Sequence, residues 1–309
     1  MSVVRSALLA ASQNVWLRER AAKYSFVRRS VARFMPGERL EDALGAAEAL
    51  KRKKIVAVLT HLGENVADQA EAQQVAEHYV EVLKRIQAQG LETEISVKLT
   101  QLGLDLSEEL CFEHVKAIIA QERAERTVWI DMEASNYVEA TLRIYRRALG
   151  IFPNVGICLQ AYLYRTEKDV EELLAMRPAV RLVKGAYRER AEIAFPKKAD
   201  VDANYFELAK KLLVAQAEGR CFRAAFATHD VALIGRIAEF AARRGIAKST
   251  VEVQMLYGIQ RAEQERLAGE GYRSGVLVAY GSYWYPWFVR RLAERPANLW
   301  FMLRNVFAG

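Results

Sequence analysis

Short apolar runs alternate with amphipathic stretches along most of this chain. The runs are rich in β-branched residues, as buried strands are. They read IVAVLTHLGE from Ile55, ISVKL from Ile95, TVWIDME from Thr127, VGICLQAY from Val155, VRLVKGAY from Val180, RAAFATHD from Arg223, VEVQML from Val251 and GVLVAYGS from Gly275. Helical patterns fill the intervals. ADQAEAQQVAEHYVEVLKRIQAQG and NYFELAKKLLVAQAEG each end at a glycine, where a left-handed residue can close a helix. Strand-then-helix units repeating every ~25 to 45 residues predict an α/β fold, a (β/α)8 TIM barrel. A doubly wound open sheet would carry a Gly-rich phosphate loop after its first strand, and THLGENVADQ stands there instead. The GxG of GEGYRSG precedes a strand and reads as a turn.

The residues before the first strand have helical patterning broken at Pro36-Gly37. They are expected to form an N-terminal helical arm, residues 1–45, packed on a barrel of residues 46–309. The opening MSVVRSALLAASQNVWLRER has a short apolar segment interrupted by Arg5, which fits an amphipathic helix better than a signal peptide. No apolar run reaches transmembrane length. Cys111, Cys158 and Cys221 are widely spaced, which points to reduced thiols in a cytoplasmic protein. His61, His78, His114 and His229 form no HxxxH pair and none adjoins a cysteine, so no metal site is expected. The formal net charge of +7 admits an anionic ligand, a membrane surface or nucleic acid. The basic runs KRKK and RR sit on or beside amphipathic helices and read as solvated faces, so no nucleic-acid partner is expected.

In a barrel of this kind, side chains at the C-terminal strand ends share one pocket. Those ends supply Glu64, Lys98, Asp131, Gln160, Lys184, Thr228 with His229, and Gln254. Arg181 lies inside strand five. Its guanidinium cannot shed a proton, so it requires either a carboxylate on a neighbouring strand or an electron-rich ligand over the mouth. Lys184-Gly185-Ala186 follows, a cation beside a residue that lets backbone approach a phosphate closely. Lys98 and Asp131 end adjacent strands, either as a plain salt bridge or with Asp131 orienting an ammonium that also meets an anionic substrate. His229 is either an acid–base group or a hydrogen-bonded barrel histidine. After strand eight, WYPWFVRRLAERP carries Arg290 and Arg291, with Glu294 within one turn of both. The pair is either a surface ion-pair site or, if the helix covers the barrel mouth, a carboxylate clamp.

SVKLTQLG, IDMEAS, VRLVKGAYRER, FATHD, VEVQMLYG and WFVRRLAERPAN, in this order, resemble successive motifs of proline dehydrogenases. The likeness is to the short monofunctional bacterial form, and more distantly to the domain found in bifunctional proline utilisation flavoproteins. It runs from about residue 50 to the C-terminus. It implies a distorted (β/α)8 barrel that binds FAD and oxidises L-proline to Δ1-pyrroline-5-carboxylate. The hydride passes from proline C5 to FAD N5, and the electrons go on to a membrane quinone. By the same resemblance Lys98, Arg290 and Arg291 hold the proline carboxylate, Asp131 pairs with Lys98, and Arg181 sits by the flavin N5. Met132, Gln160, Lys184, Gly185, Ala186, Thr228 and His229 would contact other parts of FAD, with Gln254 and Glu294 assigned to the same cofactor surface. Leu256 would pack on the substrate, and Glu64 would pair with Arg291 as a gate.

Two positions depart from the family pattern. Trp287 stands where a tyrosine is expected, and a second expected tyrosine falls on Leu277, with Tyr280 or Tyr283 as substitutes. Tyr280 and Trp287 are therefore assigned to the substrate wall, the part of the site that separates proline from hydroxylated prolines. Competing readings are a lyase using Lys98 or Lys184 as a Schiff-base nucleophile, and a basic barrel that adsorbs to anionic surfaces. Peripheral contact with the cytoplasmic membrane fits the charge.

Overall fold

A computed structural model describes residues 31–63, 66–123, 126–285 and 287–289. Eight parallel strands close into a barrel in chain order. They are β1 (Val56–His61), β2 (Thr93–Val97), β3 (Val128–Ile130), β4 (Val155–Gln160), β5 (Ala179–Val183), β6 (Arg223–Ala227), β7 (Glu252–Leu256) and β8 (Arg273–Tyr280). β8 returns to β1 over its whole length, from Val56 opposite Gly275 to His61 opposite Tyr280. The helices among the described residues are α1 (Leu40–Lys51), α2 (Gln69–Ala88), α3 (Glu108–Ile119), α4 (Val138–Leu149), α5 (Thr166–Leu174), α6 (Lys198–Ala217), α7 (Val231–Arg243) and α8 (Arg261–Gly269).

The helices begin and end where local chemistry directs. Asp68 accepts from the Glu71 N–H at the start of α2, Ser107 from Leu110 at α3, and Asp230 from Leu233 at α7. Gly90 and Gly219, just beyond α2 and α6, take the left-handed conformation expected of them, with φ of 61° and 77°. Most strand residues are buried on both faces, which explains their continuous apolar runs. The main apolar core lies between strands and helices, while Val58, Trp129, Ala179 and Ala225 form a smaller cluster with Leu277 against it.

A third cluster joins Val31, Phe34 and Met35 to Leu62, Ala279, Trp284, Tyr285, Trp287, Phe288 and Val289. It ties the chain before α1 to a helical segment that starts at Trp284. Trp284 Nε1 also donates to Glu38, at 3.0 Å. The boundary placed near residue 45 falls inside α1, which packs on β1 and β8 as part of the helical layer. The remainder of the helical arm lies outside the described residues, as does the helix beyond Val289. Several basic residues of the helical faces are paired on the surface, among them Lys53 with Glu265, Arg146 with Glu172 and Arg147 with Glu109.

Candidate active site

The floor of the site lies at the N-terminal end of the barrel. There Arg223 is held between two carboxylates, donating Nε and Nη2 to Glu252 at 2.7 Å each and Nη1 to Glu94 at 2.5 Å. All three side chains are almost fully buried. Burial by itself would raise the Glu252 carboxyl, but the charge and hydrogen bonds of Arg223, with Arg273 and Gln254, together outweigh it, and its pKa lies below the ordinary value. Trp129 Nε1 donates to the other Glu94 oxygen at 2.9 Å. Gly156 leaves space for that indole, since a Cβ there would lie 2.5 Å from Trp129 Cε3.

Above this floor lies Arg181, 3% exposed. Its Nη1 donates to Asp131 Oδ1 at 3.0 Å and to Ser96 Oγ at 2.9 Å, and Ser96 Oγ donates to the same Asp131 oxygen at 2.7 Å. Its Cζ lies 4.5 Å from the Trp129 ring centroid, and Arg223 Cζ lies 5.0 Å from the same centroid. Nε and Nη2 of Arg181 are buried and have no hydrogen-bond partner among the described residues. Beside it, Gln160 Nε2 donates to the Glu133 carbonyl at 3.1 Å, while its buried Oε1 has no partner among the described residues. Glu133 is itself buried, accepting from the Thr100 hydroxyl at 2.7 Å and backbone N–H at 3.1 Å, and burial raises its pKa. Gly185 adopts φ 111°, and a Cβ on it would meet the Tyr162 ring at 2.2 Å. This turn therefore requires glycine.

The other expected residues divide. Asp131, Arg181, Gln160 and Met132 come together at the exits of β3, β4 and β5. His229 stands at the exit of β6, where its Nε2 accepts the Leu256 N–H at 3.0 Å; that nitrogen carries no proton, and the ring braces β6 against β7. The Thr228 hydroxyl accepts from the Asp230 N–H at 3.2 Å. Leu256 is half-buried and Ala186 exposed. Lys98 is half-buried too, with Nζ 3.5 Å from the Gly63 carbonyl.

Two expectations are corrected, the partner of Asp131 and the place of Tyr280. Asp131 pairs with Arg181 and not with Lys98, because Ser96 and Arg181 take up its inward oxygen. Lys184 is bound by two carboxylates, Asp202 at 2.5 Å and Asp230 at 2.9 Å. Gln254 turns its amide to Glu252 at 2.6 Å and belongs to the floor. Tyr280 points away from the barrel interior, its hydroxyl 2.7 Å from His78 Nε2 on α2; Leu277, three residues earlier, takes the inward face. Trp287 is buried in the third apolar cluster. Glu64, Arg290, Arg291 and Glu294 lie outside the described residues.

The sequence reading passed over Ser96, Trp129 and the Glu94–Arg223–Glu252 floor. The signal was present. Glu94, Arg223 and Glu252 are charged residues in apolar strand runs, as Arg181 is. His61, at the end of β1, was noted only as a histidine outside any metal-binding pattern. Its ring centroid lies 4.5 Å from that of His78, and burial first, then the neighbouring His78 and Lys98 charges, lower its pKa to about 4.

The proline dehydrogenase family model matches residues 43–304. The chain is 40% identical over 305 residues to proline dehydrogenase 1 of Bacillus subtilis subsp. natto, covering 98% of this chain and 99% of the relative. It is 38% identical over 283 residues to the proline dehydrogenase of Deinococcus radiodurans, covering 90% of each. Among solved structures, proline utilization A of Bdellovibrio bacteriovorus, crystallised after inactivation by N-propargylglycine, superposes with a TM-score of 0.80 at 26% identity. That match covers 87% of this chain and 33% of the longer protein. The family match takes in all eight strands of the barrel, and both relatives align over nearly their full lengths: this chain belongs to the proline dehydrogenase family.

Proposed function

We propose that this protein oxidises L-proline to Δ1-pyrroline-5-carboxylate at the C-terminal mouth of the barrel, with FAD as cofactor and a quinone as the final electron acceptor. The observation that carries the reading is Arg181: a buried guanidinium with Nε and Nη2 unpartnered among the described residues, on a strand whose sequence resembles a family motif. Unpaired buried donors of a charged group are costly, and an electron-rich ring system is a suitable partner. Gln160 Oε1 offers a buried acceptor nearby, and the glycine turn at Gly185 leaves backbone open to close approach. These groups fit FAD, which when bound supplies a two-electron hydride acceptor.

The protein's own residues then have separable tasks. Arg181, oriented by Asp131 and Ser96, presents fixed positive charge where negative charge develops. Lys98 keeps its ammonium out of an ion pair with Asp131 and is available to the proline carboxylate, together with Arg290 and Arg291. Met132, Thr228, His229, Lys184 and Ala186 belong to the cofactor surface in this reading, Lys184 with its charge balanced by Asp202 and Asp230. Leu256 contributes apolar surface to the substrate. Glu64 and Arg291 form a gate, and Trp287 helps to close the substrate pocket from its apolar cluster. A cytoplasmic location with peripheral membrane contact accords with the net charge of +7, and no helix among the described residues is long and apolar enough to cross a membrane.

The decisive experiment is direct. Purified protein should be yellow, and its flavin absorbance should bleach when L-proline is added without oxygen. Colourless protein without affinity for FAD would overturn the reading. Arg291→Ala should raise the KM for proline strongly with FAD still bound, and Glu64→Ala should raise it less. Loss of FAD without a change in KM would contradict the carboxylate role of Arg291.

A further inference from the structure

We infer that Trp129 is a positioning residue for Arg181, transmitting the rigidity of the barrel floor to the guanidinium that serves the cofactor. The inference rests on the proposed reading that Arg181 faces bound FAD. One nitrogen of Arg181, Nη1, carries its hydrogen bonds to Asp131 and Ser96. Bonds at one corner leave a planar fork free to rock about that corner. The Trp129 ring, 4.5 Å from Cζ, supplies a surface that fixes the plane and attracts the cation.

The ring is itself immobile. It is fully buried, its Nε1–H is bonded to Glu94, and Glu94 is locked by Arg223 to Glu252. Gly156 packs so tightly against it that even a methyl group would collide. Any buried indole needs an acceptor for its Nε1–H, but a tryptophan serving only as filler would not need guanidinium groups on two sides. Here Nε and Nη2 of Arg181 are left for the ligand, and the ring determines where they point.

The test is the reduction potential of the bound flavin, measured in holoenzyme carrying Trp129→Leu or Trp129→Phe, alone and combined with Arg181→Lys. Trp129→Leu removes the ring, and should weaken stabilisation of the reduced cofactor about tenfold, a fall of roughly 30 mV for a two-electron couple. Trp129→Phe keeps a smaller ring without the anchor and should cost about threefold, roughly 15 mV. In the Arg181→Lys background both shifts should shrink, because the planar fork whose orientation the ring fixes is gone. If Trp129→Leu does not fold, Trp129→Phe with and without Arg181→Lys decides the matter. Unchanged potentials, or equal shifts in both backgrounds, would overturn the inference while leaving the FAD reading intact. Wild-type protein that binds no FAD would overturn both.

Discussion

Asp131→Asn is the substitution that probes the site most sharply, because it keeps the side-chain shape and removes one charge. Sequence spacing suggested Lys98 as the partner of Asp131; the structure gives it Arg181, with Nη1 and Oδ1 3.0 Å apart. Charge centres about 4 Å apart interact by about 4 kcal/mol at an effective dielectric of ~20. Asp131 is 19% exposed, so solvent screens part of this, and a coupling of about 2 kcal/mol is expected. Asp131→Asn alone should lower the unfolding free energy by roughly 2 to 3 kcal/mol, since it leaves a buried guanidinium without a counter-charge. The assay is urea unfolding of cofactor-free protein, followed by circular dichroism, in two double-mutant cycles. Crossing Asp131→Asn with Arg181→Met should return the coupling; crossing it with Lys98→Met should return less than about 0.5 kcal/mol, the additivity found where residues share no contact. A Lys98 coupling equal to or larger than that of Arg181 would refute the assignment.

Other outcomes follow from the same geometry. Arg223→Met strips the guanidinium from two buried carboxylates and should cost about 4 kcal/mol in thermal or urea unfolding. In the wild type, the lowered Glu252 pKa contributes stability that is present above the ordinary value of 4.5 and lost as pH falls through the lower folded value. In the variant burial dominates at Glu252, so the gap between the two proteins should narrow from about pH 7 to about pH 5. His61, lowered from 6.5 to about 4, has the opposite charge type: the unfolded chain takes up a proton that the folded one refuses. Stability should therefore fall as pH drops from 6.5 towards 4. His61→Asn should flatten that limb, and an unaltered pH profile would count against the assignment. Gly185→Ala forces a side chain into a φ of 111° against the Tyr162 ring, and should cost at least about 2 kcal/mol and weaken FAD retention in a spectral titration.

The sequence by itself determined the barrel and marked Arg181 as a charge inside it. Strand runs and glycine-ended helices are local signals, so the predicted strand starts fall within a few residues of the observed ones, as at Arg223 in β6 and Val155 in β4. Arg181 was legible as a buried charge that must find a partner, because a guanidinium cannot be neutralised. Which partner it found was not legible. Strand parity turns Glu94 and Ser96 of β2 inward with Trp129 and Asp131 of β3, and brings Arg181 across from β5 to meet them. Lys98 is the next inward position along β2, beyond reach of the oxygen that Ser96 and Arg181 share. Sequence spacing states that strands end near one another; closure of the barrel decides which inward side chains stand at the same level. The same holds for Lys184, whose carboxylates come from α6 and the start of α7, and for Arg223, whose partner Glu94 is 129 residues away. Tyr280 shows the cost of omitting parity: with Leu277 inward, a residue three places on must face the helices. Residue types are chosen locally, but charge pairing in a low-dielectric interior depends on distance in space, and only the closed tertiary structure sets that distance.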